Sequence, residues 1–274
     1  MMKNGMKEKL LSGQPVFGVS VMFPSPQVVE MVGRLGFDWV LIDCEHGSIS
    51  PESVEVMAMA AELSGITPIA RPWTNSPEAI LRVMDRGAMG VQVPHVNTAA
   101  DACRAVESVK FHPLGKRGLA AGTRPAHYGF GLSKADYVEE ANRETLVGIQ
   151  LEEEEALRNL DEILQVEGVD VFFVGPSDLS QSMGHPGRSD VPEVREAMDK
   201  AFAAIVAAGK APGSAGDAQA TLNYLSKGGL YLYTHLPTLL ASASAEFLGT
   251  VRTVLEPYVR QTRAPLSKAS SGVP

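Results

Sequence analysis

Gly36-Phe37-Asp38-Trp39-Val40-Leu41-Ile42-Asp43-Cys44-Glu45-His46-Gly47 is the stretch that decides the fold. Its apolar run, with β-branched and aromatic residues, predicts a buried strand over Phe37–Asp43. The run breaks off into Asp43, Glu45, His46 and Gly47. Packing alone does not end a buried strand this way, because charged groups need water, a partner or a metal. In an α/β barrel the carboxyl ends of the strands carry the chemistry. His46 is therefore the first candidate for a catalytic base.

Outward from this stretch the chain alternates strand and helix. Further strands are expected at Val16–Met22, Thr67–Arg71, Met89–Pro94, Thr145–Leu151, Val169–Val174, Lys210–Ser214 and Leu230–Thr234. Ser50-Pro51 and Ser76-Pro77-Glu78 read as helix starts, with a capping hydroxyl before a proline. Glu153–Val166 reads as one helix and Pro237–Arg260 as a long last one; Phe111–Tyr128, rich in Gly, Pro and Arg, reads as a functional loop. Strands each trailed by a helix predict an α/β protein of the (β/α)8 TIM-barrel class. No linker divides the chain, so residues 1–262, last helix included, are expected to form a single domain. Arg263–Pro274, rich in Ser, Ala and Pro, is expected to be a disordered tail.

Composition narrows the function. A net charge of −8 over 274 residues argues against nucleic acid as a partner. The two cysteines, Cys44 and Cys103, have no metal-pair spacing and fit a reducing cytoplasm. Met1–Gly13 is polar and lysine-rich, unlike a signal peptide. No apolar run reaches the roughly 20 residues of a membrane span.

The barrel reading requires unusual polar residues to gather just after the strands, and they do. Asp43, Glu45 and His46 follow the second strand, Arg71 the third, His95 the fourth, and Gln150 with Glu152 the fifth. Ser177 and Asp178 follow the sixth in Gly175-Pro176-Ser177-Asp178, and Ser214 and His235 follow the last two. Arg71, between an apolar run and Pro72-Trp73, suits a buried cation aimed at an anion or a developing oxyanion. Glu152 continues the alternation from Gln150, so the two point to one face. Glu152 and Asp178, from neighbouring strands, suit Mg²⁺ or Mn²⁺ with positions left for water and substrate. The Gly-Pro turn before Ser177 exposes backbone N–H groups that can cradle a substrate carboxylate. His95 and His235 sit at the barrel mouth, where a structural hydrogen bond is the plainer role for each.

These pieces, with Ile69-Ala70-Arg71-Pro72, Gln150-Leu151-Glu152 and Gly175-Pro176-Ser177-Asp178-Leu179-Ser180, resemble the HpcH/HpaI family of metal-dependent (class II) 2-oxo acid aldolases. The resemblance covers about Val16 to Ala208. It implies a phosphoenolpyruvate/pyruvate-type TIM barrel. The implied activity makes or cleaves 4-hydroxy-2-oxo acids, giving pyruvate or a related 2-oxo acid and an aldehyde, through an enolate chelated by a divalent metal (Mg²⁺, Mn²⁺ or Co²⁺). It implies His46 as the base, with Asp85 raising its basicity, and Arg71 as the stabiliser of the enolate-like transition state. Glu152 and Asp178 would hold the metal, while Gln150 and the backbone around Ser177 and Asp178 would bind the pyruvate part. A hexamer built from dimers that exchange their last helix is also implied. No lysine stands at a strand end, which weighs against a Schiff-base aldolase.

Tyr233-Thr234-His235-Leu236 and Ser214–Asp217 depart from the family pattern, which leaves the aldehyde open. Two other readings share the barrel: an acyl-CoA lyase of the citrate lyase β-like type, against which Glu45-His46 counts, and a non-catalytic barrel that binds an oxo acid.

Overall fold

Eight apolar runs fold, among the described residues, as parallel strands that close into a barrel in sequence order. The computed structural model describes residues 3–262. The strands are β1 (Val16–Val21), β2 (Trp39–Asp43), β3 (Thr67–Arg71), β4 (Gly90–Val93), β5 (Leu146–Leu151), β6 (Val171–Val174), β7 (Ala211–Ala215) and β8 (Tyr231–His235). Around them lie α1 (Gly5–Leu11), α2 (Pro26–Arg34), α3 (Pro51–Leu63), α4 (Pro77–Met84), α5 (Ala99–Val109) and α6 (Lys134–Glu144). Then come α7 (Glu154–Arg158), α8 (Leu160–Leu164), α9 (Pro176–Ser182), α10 (Pro192–Ala207), α11 (Ala218–Ser226) and α12 (Leu236–Thr262).

The helix starts follow the local sequence. Ser25, Ser50 and Ser76 each accept a hydrogen bond from a backbone N–H three residues on, with a proline in the first turn. Thr98 and Asp101 close a reciprocal capping box on α5. Such caps fix where each helix leaves the barrel mouth, and so where each strand-end side chain stands.

Inside the barrel, aromatic rings fill the lower layers. Trp39 stacks on Tyr231 with ring centroids 4.2 Å apart, and Phe173 stacks on Tyr233 at 5.3 Å. Met6 and Leu10 of α1 join the same buried cluster from the foot. Asn4 ties α1 down: its side-chain amide donates to the Glu144 carbonyl at 2.9 Å and its oxygen accepts from Thr67 Oγ1 at 3.2 Å. The core beneath the mouth is thus solid, and the polar strand ends rest on it.

Two local expectations are corrected, and two stretches carry elements that were not expected. The helix expected over Glu153–Val166 is two short ones, because Asn159 leaves helical geometry (φ −98°, ψ 11°) to donate from its side chain to the Asn97 carbonyl at 2.8 Å. The turn expected after β6 continues as α9, since Pro176 suits a first helical position. The polar N-terminal stretch carries α1 at the barrel foot. The loop expected over Phe111–Tyr128 includes a kinked 3-10 turn at Arg124–Gly129.

Met1–His235 forms one compact unit and Leu236–Pro274 a second, of which the described part is α12. That helix runs 27 residues, with Leu240, Phe247, Leu248, Val251 and Leu255 exposed along one side. Residues 263–274, expected to be a tail, lie outside the described residues. Among the described residues no helix is long and apolar enough to cross a membrane.

Gly18 of β1 faces the Trp39 indole so closely that a Cβ there would sit 2.3 Å from the ring. Gly18→Ala is expected to lower the free energy of unfolding by about 1–3 kcal/mol, read as a lower urea midpoint. An unchanged midpoint would show that the barrel floor is less tightly filled.

Candidate active site

The β2–β3 register sets Asp43 directly opposite Arg71 at the carboxyl ends of their strands. Arg71 uses this to make a two-pronged ion pair, Nε to Asp43 Oδ1 at 2.9 Å and Nη2 to Oδ2 at 2.5 Å. Both side chains are buried. Burial alone works against the Arg71 cation, but the Asp43 hydrogen bonds and nearby anions more than offset it and hold its pKa above the ordinary value. The remaining nitrogen, Nη1, donates to Gln150 Oε1 at 3.2 Å. Asp43 also accepts from the backbone N–H groups of Glu45 and His46, which curls the segment after β2 over the mouth. Gly47 permits that curl: a Cβ there would lie 2.1 Å from the Asp43 carbonyl.

Gln150 is fully buried. Its oxygen also accepts from Gln92 Nε2, and its amide donates to Glu152 Oε2 at 2.6 Å. It therefore bridges Arg71 and Glu152 at the position where the resemblance implies a substrate ligand. Glu152 shares its face, as the strand alternation predicted, and is itself buried. Its Oε1 accepts the backbone N–H of His95 at 2.8 Å. Burial pushes its carboxyl up to about 7; the His95 N–H opposes this, and the charges of Glu45 and Asp178 add to it.

His95 has a left-handed backbone (φ 53°), uncommon for a residue with a side chain. This turns its ring back over the mouth. Nε2 lies 3.3 Å from Glu45 Oε1, and Nδ1 lies 3.0 Å from Glu153 Oε1 and 3.4 Å from Glu152 Oε1. Glu45, nine-tenths buried, has an Oε2 atom without a hydrogen bond among the described residues; Arg71 Nε stands 3.2 Å away and His46 Nε2 3.9 Å. Burial raises the Glu45 pKa, and the Arg71 charge opposes the rise.

His46 is half-exposed at the rim, next to Glu45. Asp85 is not its partner within this chain. It caps the far end of α4, which runs away from the mouth, so it lies at the foot of the barrel and pairs there with Arg117 at 2.8 Å. Within this chain the expected His46–Asp85 pair does not form, and Glu45 is the carboxylate beside the His46 ring. Ser177 and Asp178 occupy the first turn of α9, Ser177 exposed and Asp178 half-buried. His235 ends β8, its ring edge-on to Tyr233 at 5.5 Å, with Nδ1 buried and not hydrogen-bonded among the described residues. Burial, then the Arg71 charge, lowers its pKa.

Among the described residues, ligand atoms of Glu45, His95 and Glu152 lie within 4.8 Å of one another. Asp178 is outside that group, although its charge reaches Glu152. The residues fit a divalent cation. Two carboxylates are held close together out of water, one with a buried oxygen that has no hydrogen bond among the described residues, and the buried Arg71 beside them gives its hydrogen bonds to Asp43 and Gln150. Sequence reasoning did not assign Glu45 or His95; Glu45 stood in the quoted stretch, but nothing there separated it from an ordinary solvated acid.

Residues 18–223 match the family model described as HpcH/HpaI aldolase/citrate lyase. The chain belongs to this family. Membership makes it a carbon–carbon lyase. It is 35% identical over 263 residues to a 4-hydroxy-2-oxo-heptane-1,7-dioate aldolase of Shigella sonnei (strain Ss046), covering 94% of this chain and all of that one. An HpcH/HpaI aldolase/citrate lyase family protein from Burkholderia cenocepacia J2315 superposes with a TM-score of 0.86 at 30% identity, over 91% of this chain and 100% of that one. Citrate synthase SbnG superposes with a TM-score of 0.81 at 28% identity, over 91% and 98% of the two chains.

Gly175 packs against Glu152, and a Cβ there would stand 3.1 Å from its Cβ and 3.3 Å from Oε2. Gly175→Ala should shift the carboxylate by a few tenths of an ångström. It is expected to weaken divalent-metal binding by about tenfold, measured by calorimetry, with little change in melting temperature; equal affinity would mean Glu152 is not where the metal is held.

A carboxyl with a raised folded-state pKa stabilises the fold while protonated. For Glu152 that contribution is full below 4.5 and lost as pH rises through about 7. In EDTA, Glu152→Gln should therefore gain melting temperature relative to the wild type as pH rises across this window. A difference that does not vary with pH would contradict the raised pKa.

Proposed function

We propose that the protein is a divalent-metal-dependent aldolase that cleaves or makes 4-hydroxy-2-oxo acids, exchanging them for pyruvate or a related 2-oxo acid and an aldehyde. The observation that carries this reading is the buried carboxylate set at the ends of β2 and β5 beside a fixed guanidinium. The name of the Shigella sonnei relative gives the substrate class.

Glu152, with Asp178, would hold the cation, of which Mg²⁺, Mn²⁺ and Co²⁺ are the candidates. Bound there, it would supply positive charge to the oxygens of the 2-oxo acid. In the cleavage direction His46 takes the proton of the C4 hydroxyl. The C3–C4 bond then breaks, C4 leaves as the aldehyde carbonyl, and the electron pair stays on the pyruvate fragment until a proton returns to C3. Arg71, immobilised by Asp43 and Gln150, meets the negative charge that develops on the 2-oxo oxygen. Its buried ion pair keeps that charge-stabilising group in place without reorganisation. The Ser177–Asp178 segment binds the substrate carboxylate, and Gln150 contributes by orienting Arg71 and Glu152. The exposed apolar side of α12 supports assembly through that helix, in a hexamer of dimers that exchange it. A cytoplasmic location fits the cysteine usage.

The test is release of pyruvate from a 4-hydroxy-2-oxo acid, coupled to lactate dehydrogenase, with and without EDTA. Turnover should vanish in EDTA and return with Mn²⁺ or Co²⁺. His46→Ala should lose about 10²–10⁴ in kcat while binding metal as the wild type does. Activity indifferent to EDTA, or turnover of acyl-CoA thioesters alone, would contradict the proposal.

A further inference from the structure

We infer that His95 is a direct nitrogen ligand of the cation, with Glu45 beside it, and that this makes the site select Co²⁺ or Zn²⁺ over Mg²⁺. The inference rests on the metal reading above and extends it to two residues which that reading leaves unassigned.

Three independent features point to His95. The first is the ring's place: it lies between the Glu45 and Glu152 carboxylates, inside the group whose ligand atoms fall within 4.8 Å. The second is its other nitrogen. Metal-binding histidines almost always give their second N–H to a carboxylate or carbonyl, which fixes the tautomer. Nδ1 has such an acceptor in Glu153 Oε1 at 3.0 Å. With the proton there, the Nε2 lone pair faces the Glu45 side of the site, where Glu45 Oε1 is 3.3 Å away. The third is the backbone. The left-handed φ of His95 and the bond from its N–H to Glu152 Oε1 place a nitrogen donor over the very carboxylate expected to hold the cation. A histidine serving only as an exposed ion-pair partner needs neither that backbone nor a carboxylate on both of its nitrogens.

The consequence is a change of donor set. Two carboxylates with water and substrate oxygens make an all-oxygen site, which suits Mg²⁺. An imidazole added to it favours cations that accept nitrogen readily, of which Co²⁺ and Zn²⁺ are the relevant ones, while Mn²⁺ still binds such a mixed site. Glu45 Oε2 is buried without a hydrogen bond among the described residues and is held only by the charge of Arg71 at 3.2 Å, while Oε1 faces the His95 ring.

The test uses pulsed EPR and calorimetry on the full chain. His95→Asn removes the imidazole while keeping a residue type that tolerates left-handed backbone. The Mn²⁺-loaded wild type should give nitrogen modulation from a bound imidazole; His46→Ala should keep it and His95→Asn should lose it. Co²⁺ affinity should fall by about tenfold or more in His95→Asn, with Mg²⁺ affinity within about twofold of the wild type. Nitrogen modulation that persists in His95→Asn, or unchanged Co²⁺ affinity, overturns the inference. Glu152→Gln separates it from the reading beneath: if that variant loses Co²⁺ and His95→Asn does not, the metal site stands and the histidine ligand falls. If Glu152→Gln binds Co²⁺ like the wild type, the metal reading itself fails.

Discussion

At the mouth of this barrel carboxylates outnumber buried cations, and the arrangement of the site follows from that imbalance. Arg71 is committed to Asp43, an ion pair out of water in which loss of either partner would strand the other at a cost of about 3–5 kcal/mol. Glu45 and Glu152 are then left close together, with the edge of the same guanidinium beside Glu45 and the histidines as the other positive groups nearby. Like charges so placed either take up a proton or hold an ion. The rise of Glu152 to about 7 is the first response, and divalent-metal binding is the second.

The rest of the fold serves to keep these groups from relaxing apart. Gln150 links Arg71 to Glu152 across the mouth, so cation and carboxylate are joined through one buried amide. Gly175 and Gly47 let backbone pass where any side chain would push a carboxylate or a strand end aside. Beneath them the stacked rings of Trp39, Tyr231, Phe173 and Tyr233 fill the barrel, with α1 closing the foot. A site built on strand ends over such a floor has its geometry set before substrate arrives, as electrostatic stabilisation of a developing oxyanion requires.

Much of this was legible in the sequence because it was written locally. Serine before proline marked the starts of α3 and α4, and the two-residue alternation put Gln150 and Glu152 on one face. The abrupt end of β2 in charged residues marked the mouth at which Asp43, Glu45 and Arg71 meet. What was not legible was written across the fold. Asp85 and His46 lie on opposite ends of the barrel, a fact of helix direction that residue types do not carry. The left-handed backbone of His95 depends on a hydrogen bond to Glu152, far away in sequence, so the residue read as an ordinary mouth histidine. Asn159 gave no warning that its bond to Asn97 would divide a helix. The bridge that Gln150 makes between Arg71 and Glu152 was hidden for the same reason, since residue types do not show which strand ends meet.

The most direct test of this account is anomalous diffraction at the manganese edge from crystals of the protein grown with Mn²⁺. The account predicts one strong peak at the barrel mouth, within coordination distance of Glu152 and bounded by Asp178, Glu45 and His95. A peak elsewhere, or a mouth in which Glu152 stays bonded only to Gln150 and the His95 N–H at saturating Mn²⁺, would contradict it.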